Sequence, residues 1–464
     1  MIVKKVSSKW FDETGLRFDC NPYVKGAFEA RELINSLEVP VRPLKELTSG
    51  YNGGIYNGPV FKRRFVSDEK YGVKFLTSAT MLRSRLQGLP LLSKSDAFSK
   101  KLSYLELQPE MIMISCSGAI GNTVYVREDM KGYWSCQDQL KVVADKEKIK
   151  SGFLYSFLKS KYGIPVVTSG TYGAIIQHLE PEHISDLPVP ILSALVQKEV
   201  DELIRDSSKF RTNARNIIES EISKLNDLMN AGINFRCSHE SSFSTGISKI
   251  SPNGRRFDAF HHVGYAREGI DALTQSLAMR DIARVLRPPL MKRNRVEQGG
   301  VEFLGGTELQ SLDQKGSTRL AVSTRSLDSY IVKEGMVLFQ CVGQRYGIFG
   351  HPVLANRKLI GKAVTEAVMR VIPFDSSDAG YLSIYLATEI GRRNTLAWSA
   401  GTSIPVLQEV GAEKIRVYWP EKAVRMKISE AADKAWELRC QAIELEERAV
   451  KLVEDAIEAA APKH

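Results

Sequence analysis

Met111-Ile112-Met113-Ile114-Ser115-Cys116-Ser117-Gly118 returns later in the chain as Met336-Val337-Leu338-Phe339-Gln340-Cys341-Val342-Gly343, an offset of 225. A single echo of this kind means little, but this one has neighbours in the same order. Arg17-Phe18-Asp19 matches Arg256-Phe257-Asp258 at an offset of 239, and Val73-Lys74-Phe75-Leu76 matches Val301-Glu302-Phe303-Leu304 at 228. Phe153-Leu154-Tyr155-Ser156-Phe157-Leu158 matches Tyr381-Leu382-Ser383-Ile384-Tyr385-Leu386, and Gly170-Thr171 matches Gly401-Thr402. An amphipathic stretch follows each Arg-Phe-Asp, Phe28 to Ile34 in one copy and Tyr265 to Leu277 in the other. Ordered matches at half the chain length mean a duplicated unit. The fall in offset gives copy one about ten extra residues around Asn52-Gly53-Gly54-Ile55-Tyr56-Asn57-Gly58-Pro59, and insertions concentrate in surface loops.

Within each copy, short apolar runs broken by glycine read as strands: Met111 to Ser115 and Thr123 to Val126 around Gly118-Ala119-Ile120-Gly121, and Met336 to Cys341 and Ile348 to Val353 around Gly343-Gln344-Arg345-Tyr346-Gly347. Helical runs follow, so each head is mixed α/β with a curled, partly antiparallel sheet.

Each copy closes on a long helix. The first runs from about Ser193 to Asn230, with Val196, Val200, Leu203, Ser207, Phe210, Ala214 and Ile217 spaced four and three apart, then Ile218, Ile222, Leu225 and Met229. The second runs from about Glu421 to Ala461, with Val424, Ile428, Ala431, Ala435, Leu438, Ala442, Leu445, Ala449, Leu452, Ala456 and Ala459. Such a pattern is a coiled-coil seam. Val200, Leu203, Phe210, Ile217, Leu225, Ile428, Leu438, Leu445 and Leu452 are its expected packing residues. At 1.5 Å per residue each helix is roughly 55–60 Å long, and two of equal length pair most simply as an antiparallel rod. The fold expected is α+β: two tandem mixed α/β domains, pseudo-two-fold duplicated, separated by two long antiparallel coiled-coil helices. Its parts are a first domain over 1–190, a central spacer helix over 191–230, a Ser- and Gly-rich linker over 231–254, a second domain over 255–420 and a C-terminal spacer helix over 421–464.

Composition agrees with soluble globular domains: of 464 residues, 43% are apolar and 25% charged, which excludes wholesale disorder. Met1 to Lys5 leads into Ser7-Ser8-Lys9-Trp10 without the apolar core of a signal peptide, and no run approaches a membrane span. Six scattered cysteines with no C-x-x-C pair suit a reducing compartment. Cytoplasmic location without a membrane partner is expected, and Cys116 and Cys341 read as core residues rather than nucleophiles.

Catalytic constellations are missing. There is no G-x-x-x-x-G-K-[ST] loop. Asn21-Pro22-Tyr23 and Arg287-Pro288-Pro289-Leu290 each fall short of the Pro-Pro-aromatic loop that amino-methyltransferases use to hold a target amine. Phe303-Leu304-Gly305-Gly306 has the wrong spacing for a cofactor loop, His261-His262 lacks acids or cysteines at ligand spacing, and Asp68-Glu69-Lys70 reads as a solvated turn. No catalytic residue, metal ligand or bound cofactor is expected. Charge, in contrast, is placed. The chain carries a net +10, which leans toward a polyanion. Residues 61–105 hold ten Lys/Arg against three acids, while the closing helix from Glu421 holds ten acids against eight bases. The candidate nucleic-acid contacts in copy one are Tyr51, Asn52, Tyr56, Asn57, Lys62, Arg63, Arg64, Arg83 and Arg85. Those in copy two are Lys292, Arg293, Arg295, Arg319, Arg325, Gln344, Arg345 and Tyr346. Lys and Arg neutralise phosphates, and Arg, Asn and Gln in loops read base edges. Individually, most such charges only keep a large head soluble.

Two tandem units, each ending in Gly-Thr (Gly170-Thr171, Gly401-Thr402), then an Ile-x-x-Leu-Pro-Val-Pro-like exit (Ile184 to Pro190, Ile415 to Pro420) and a long helix, resemble the specificity (S) subunits of type I restriction–modification systems and related DNA-methylation defence complexes. Copy two departs in its exit, Val417-Tyr418-Trp419-Pro420. The resemblance covers essentially the whole chain. It implies two target-recognition domains, each reading one half of a bipartite double-stranded DNA site, with the helix pair fixing the gap. It implies catalysis by partners: DNA adenine methyltransferase subunits, two per chain, that carry S-adenosylmethionine and flip the target adenine, joined in some complexes by a nuclease/translocase. Two other readings stay open on the residues alone, a DNA adenine methyltransferase or nuclease with degenerate motifs and a coiled-coil adaptor binding RNA or protein.

Overall fold

The computed structural model describes residues 4–13, 20–170, 178–229, 244, 256, 258–263, 273 and 275–462. Arg17-Phe18-Asp19, Thr171, most of the 231–254 linker and most of Tyr265 to Leu277 lie outside the described residues. The chain forms two units, Met1–Thr212 with Gln441–His464, and Asn213–Cys440. The division runs through both long helices, so each unit holds a head plus half of each helix.

The duplication holds strand for strand. In unit one an antiparallel sheet is ordered Ile55–Tyr56, Gln139–Val142, Ile112–Ser115, Thr123–Tyr125; in unit two its equivalent is ordered Ala283–Leu286, Val368–Pro373, Val337–Gln340, Pro352–Leu354. A second sheet is ordered Phe65–Val66, Leu91–Ser93, Gly72–Leu76, Trp134–Ser135, matched by Arg295–Val296, Thr318–Leu320, Val301–Leu304, Ala363–Val364. Its last pairing is parallel in both units. The central strands Ile112–Ser115 and Val337–Gln340 are almost wholly buried. This is why they are continuous apolar runs and carried the repeat most visibly in the sequence.

A two-stranded ribbon closes each head. Val41–Pro43 pairs with Pro188–Pro190, and Ser276–Ala278 pairs with Arg416–Tyr418. Proline is tolerated in the first because each strand of a two-stranded ribbon has a free edge. The different exits of the two copies are therefore one element. The second expected strand of copy two begins at Pro352 rather than Ile348, after a turn through Gly350 at φ 73°. Register also locates the insertion. Val41 is equivalent to Ser276 and Ile55 to Val285, so five of copy one's extra residues fall between those strands. The Tyr51–Gly54 turn fills that interval.

The long helices span Ala194–Met229 and Lys422–Ala459. In unit one they run antiparallel: Arg448 pairs with Glu199 at 3.1 Å, and eight residues on, Ser207 Oγ donates to the Ala442 carbonyl at 2.8 Å. Their buried seam is an unbroken 3-4 pattern, Gln197, Val200, Ile204, Ser207, Arg211, Ala214, Ile218, Glu221, Leu225 on one helix and Arg425, Ile428, Ala432, Ala435, Arg439, Ala442, Glu446, Ala449, Val453 on the other. Val200, Leu225 and Ile428 are buried on it. Leu203, Phe210, Ile217, Leu438, Leu445 and Leu452 border it half-buried, one position away from Ile204, Arg211, Ile218, Arg439, Glu446 and Val453. An apolarity-based reading passes over Arg211, Arg439 and Glu446 and so drifts to their neighbours.

The head cores hold the expected buried thiols. Burial pushes Cys116 up to about 12 and Cys341 up to about 11, which makes them poor nucleophiles. His261 is buried against Trp398 and bonds the Ala397 carbonyl, a core role. No described helix is long and apolar enough to cross a membrane.

Candidate nucleic-acid interface

Two loops, 57–66 and 287–296, occupy the same place in the two heads. Each follows the edge strand of the antiparallel sheet and leads into the edge strand of the second sheet. Their sequences agree at an offset of 230: Pro59/Pro289, Val60/Leu290, Phe61/Met291, Lys62/Lys292, Arg63/Arg293 and Val66/Val296.

Both loops are anchored by the same positions. At the entry, Asn57 Nδ2 donates to Glu180 Oε2 at 2.8 Å, and the Arg287 backbone N–H donates to Glu409 Oε1 at 2.8 Å. At the exit, Arg63 donates to Gln137 Oε1 at 3.0 Å and lies 3.6 Å from Asp138, with its guanidinium 5.4 Å from the Phe75 ring centroid. Arg293 donates to both Glu366 oxygens at 2.8 and 3.0 Å and stands 4.9 Å from the Phe303 ring centroid. Burial would raise the Glu366 carboxyl, but its own backbone bond and Arg293 hold it below the usual range. The segment receiving these arginines, 136–139 or 364–368, is itself fixed from beneath by a buried cation. Lys141 Nζ donates to the Cys136 and Gln139 carbonyls at 3.2 and 3.0 Å, and Arg370 donates to the Thr365, Tyr330 and Val364 carbonyls. Burial lowers Lys141 to about 8 and Arg370 to about 10. Arg63 and Arg293 thus act first as loop anchors.

The remaining candidates sort by environment. Lys62 and Lys292 are exposed and make no ion pair or hydrogen bond among the described residues. Arg64 grips Asp96 with Nε at 3.0 and 3.1 Å, and that bond holds the Asp96 carboxyl low. Arg83 is half-buried, and Arg85 is buried and donates to Gln87, which removes Arg85 from any contact surface. Tyr51 stacks on Tyr104 with centroids 4.0 Å apart, and Asn52 holds the turn in left-handed backbone at φ 46°. Tyr56 corrects the sequence reading. It is buried beneath that stack, and burial, with Tyr104 and Tyr51 adding, pushes its phenol up to about 12. It lies edge-on to Tyr51 and Tyr104, with ring centroids 5.1 and 5.8 Å apart.

In unit two, Arg295 and Arg325 are exposed, and Arg319 donates to the Gly299 and Gly300 carbonyls across its strand pair. Gln344, Arg345 and Tyr346 form a separate group beside the 399–405 turn. Gln344 donates to the Ser403 carbonyl at 2.8 Å, Arg345 to Ser399 Oγ at 2.9 Å while lying 3.9 Å from the Phe260 ring centroid, and Tyr346 is exposed. Sequence reasoning passed over Val60, Leu290 and the acceptors Gln137, Asp138 and Glu366. Aligning the two loops at 230, between the anchors at 239 and 228, would have found the first two. Among the described residues no group of three or more His, Cys, Asp or Glu could hold a metal ion.

No family model matches the chain, and no curated protein matches it. Solved structures do. The type I restriction–modification S subunit from M. genitalium aligns at 12% identity and a TM-score of 0.39, over 93% of this chain and 98% of its own. The HsdS subunit from Thermoanaerobacter tengcongensis aligns at 12% identity and 0.27, over 91% and 96%. A chain from a structural study of assembly and conformational transition in the type I R-M system aligns at 12% and 0.28, over 90% and 98%.

Proposed function

We propose that this chain is a DNA-specificity subunit that reads a bipartite duplex target, one half with each head, and that its partners do the chemistry. The observation that carries this reading is the duplicated loop: one basic, doubly anchored surface element built twice on one strand order, with different side chains around its tip. Identical scaffolds with different surfaces suit the reading of two different half-sites, and a net +10 suits a phosphate backbone. In this reading the long helices set the gap between half-sites. An adenine methyltransferase subunit, two copies per chain, supplies S-adenosylmethionine and base flipping, and a nuclease or translocase subunit joins where the complex also cuts. The protein acts in the cytoplasm, on chromosomal and invading DNA.

The test is to delete the gene and map N6-methyladenine across the host genome. Loss of one motif made of two specified halves and an unspecified gap is expected. An unchanged methylome, together with methyl transfer by the purified chain alone or preference for RNA over duplex DNA, would replace this reading with an enzyme or an RNA-binding adaptor.

A further inference from the structure

We propose that the tips of the two equivalent loops, Val60 with Lys62 and Leu290 with Lys292, are the base-contacting elements of the two heads. The aliphatic side chain of each packs on base edges in a groove, and the lysine takes an adjacent phosphate. This deepens the DNA-specificity reading and rests on it.

Three observations converge. Val60 is 81% exposed and Leu290 84%, so neither contributes to its own core. A single exposed aliphatic residue is ordinary, but these two occupy the same position of a duplicated loop. Each is followed two residues later by a lysine with no internal partner among the described residues. Finally, the tip is held rather than loose. Pro59 and Pro289 restrict the backbone before it. Tyr330 donates its hydroxyl to the Pro289 carbonyl, and the anchors at 57/287 and 63/293 fix both ends. A held loop loses little conformational freedom on binding. Its exposed aliphatic tip matches the surface that a thymine methyl or an unstacked base step offers. Charge selects a polyanion over an apolar protein partner: 57–66 carries Lys62, Arg63 and Arg64 with no acid, and 287–296 carries Arg287, Lys292, Arg293 and Arg295 with none.

The experiment uses the full-length chain and a pool of randomised duplex DNA, with the bound fraction sequenced. Val60→Ala should relax preference at one or two base pairs in one half-site by roughly fivefold, and Leu290→Ala should do the same only in the other half. Lys62→Ala should weaken binding to all sequences and reduce the salt slope by about 1. Val322→Ala is the control. Val322 is 76% exposed in unit two, but its register equivalent is Lys94, so its removal should leave the selected sequence unchanged. If the wild-type chain selects a two-part consensus and Val60→Ala and Leu290→Ala select the same one with equal discrimination, the loop assignment fails while the specificity reading stands. If the wild-type chain selects no duplex consensus, the specificity reading itself falls, and this inference with it. Val60→Cys and Leu290→Cys carrying a photocrosslinker should each label duplex DNA, and absence of labelling at both would also overturn the assignment.

Discussion

Set side by side, the two heads keep positions and exchange chemistry. The Leu192 carbonyl is met by Gln197 in unit one, and its equivalent, the Pro420 carbonyl, is met by Arg425 in unit two. Asp201 accepts from the Gly152 N–H, whereas Ser429, at the equivalent helix position, accepts from the N–H one residue further on, that of Tyr381. Lys141 and Arg370 fix the same segment from the same strand position. In each case what persists is a buried backbone group that needs a partner, and any side chain supplying one suffices. The sharpest contrast lies at the helix seam. In unit one, the buried Glu446 receives the buried Tyr155 and the half-buried Lys159 and pairs with the buried Arg211 at 2.8 Å. The equivalent positions in unit two are Ile218, Ser383, Ala387 and Arg439, the last stacked on Trp436 at 4.4 Å. This one layer is an ionic cluster in unit one, and in unit two it keeps a single charged residue, Arg439, while Arg425 pairs with Asp378 elsewhere along the seam.

Breaking the ionic side should have the largest effect. Glu446→Ala removes the carboxylate that the buried Arg211 and the half-buried Lys159 share, a loss of about 3–5 kcal/mol. Hydrogen exchange resolved by peptide should place that loss in unit one and leave unit two near its wild-type protection. Adding Lys159→Ala and Tyr155→Ser, which moves the site toward the composition of its counterpart, should restore part of it. Uniform loss across both units would mean that the two seams are not separate. The same carboxylate predicts acid sensitivity. Burial alone would raise it, but Lys159, Arg211 and the Tyr155 bond hold it far below its ordinary 4.5. A lowered acid stabilises the fold above its unfolded pKa and loses that contribution as pH falls. Unit one should therefore lose protection progressively below about pH 4.5, and Glu446→Gln should flatten that slope even though it lowers stability at neutral pH.

A position common to both heads should fail equally in both. A Cβ on Gly152 would lie 2.8 Å from the Asp201 Cα, and one on Gly380 would lie 2.6 Å from the Ser429 Cα. Backbone blocks both, so Gly152→Ala and Gly380→Ala should each cost about 1–3 kcal/mol through displacement of head from helix. Denaturant midpoints for the two variants should fall together. A large effect at only one would show that the heads dock on their helices differently.

These contrasts explain what was legible beforehand. Buried strands announced themselves as apolar runs, and the duplication followed from their order. Helix existence was also legible, with bounds observed within a few residues of those expected, because four-three spacing survives substitution. The seam itself was misplaced by one position at alternate layers. Arg211 and Glu446 are buried as a pair that no single-helix hydropathy pattern contains. Tyr56 and Arg85 were misjudged for the opposite reason. Both carry polar or charged groups that a sequence places at the surface, but Tyr56 lies edge-on to Tyr51 and Tyr104, and Arg85 is buried in the fold. Lys62 and Lys292 are exposed, whereas the anchoring of Arg63 and Arg293 involves acceptors more than seventy residues away that the sequence alone does not place beside them.

The smallest expected effect separates folding from recognition. At Val60 and Leu290 the side chains leave water hardly at all in the isolated chain. Truncation there removes little transfer energy and opens no cavity. Val60→Ala and Leu290→Ala should therefore shift the stability of their own units by no more than about 0.5 kcal/mol, with denaturation curves overlaying the wild type. Phe61 and Met291, the next residues in each loop, pack against the cores of the second sheets, and their truncation should lower stability measurably. If Val60→Ala or Leu290→Ala instead destabilised its unit as much as truncation of its neighbour, the exposed tip would have a structural duty, and loss of DNA selectivity could no longer be read as loss of a contact.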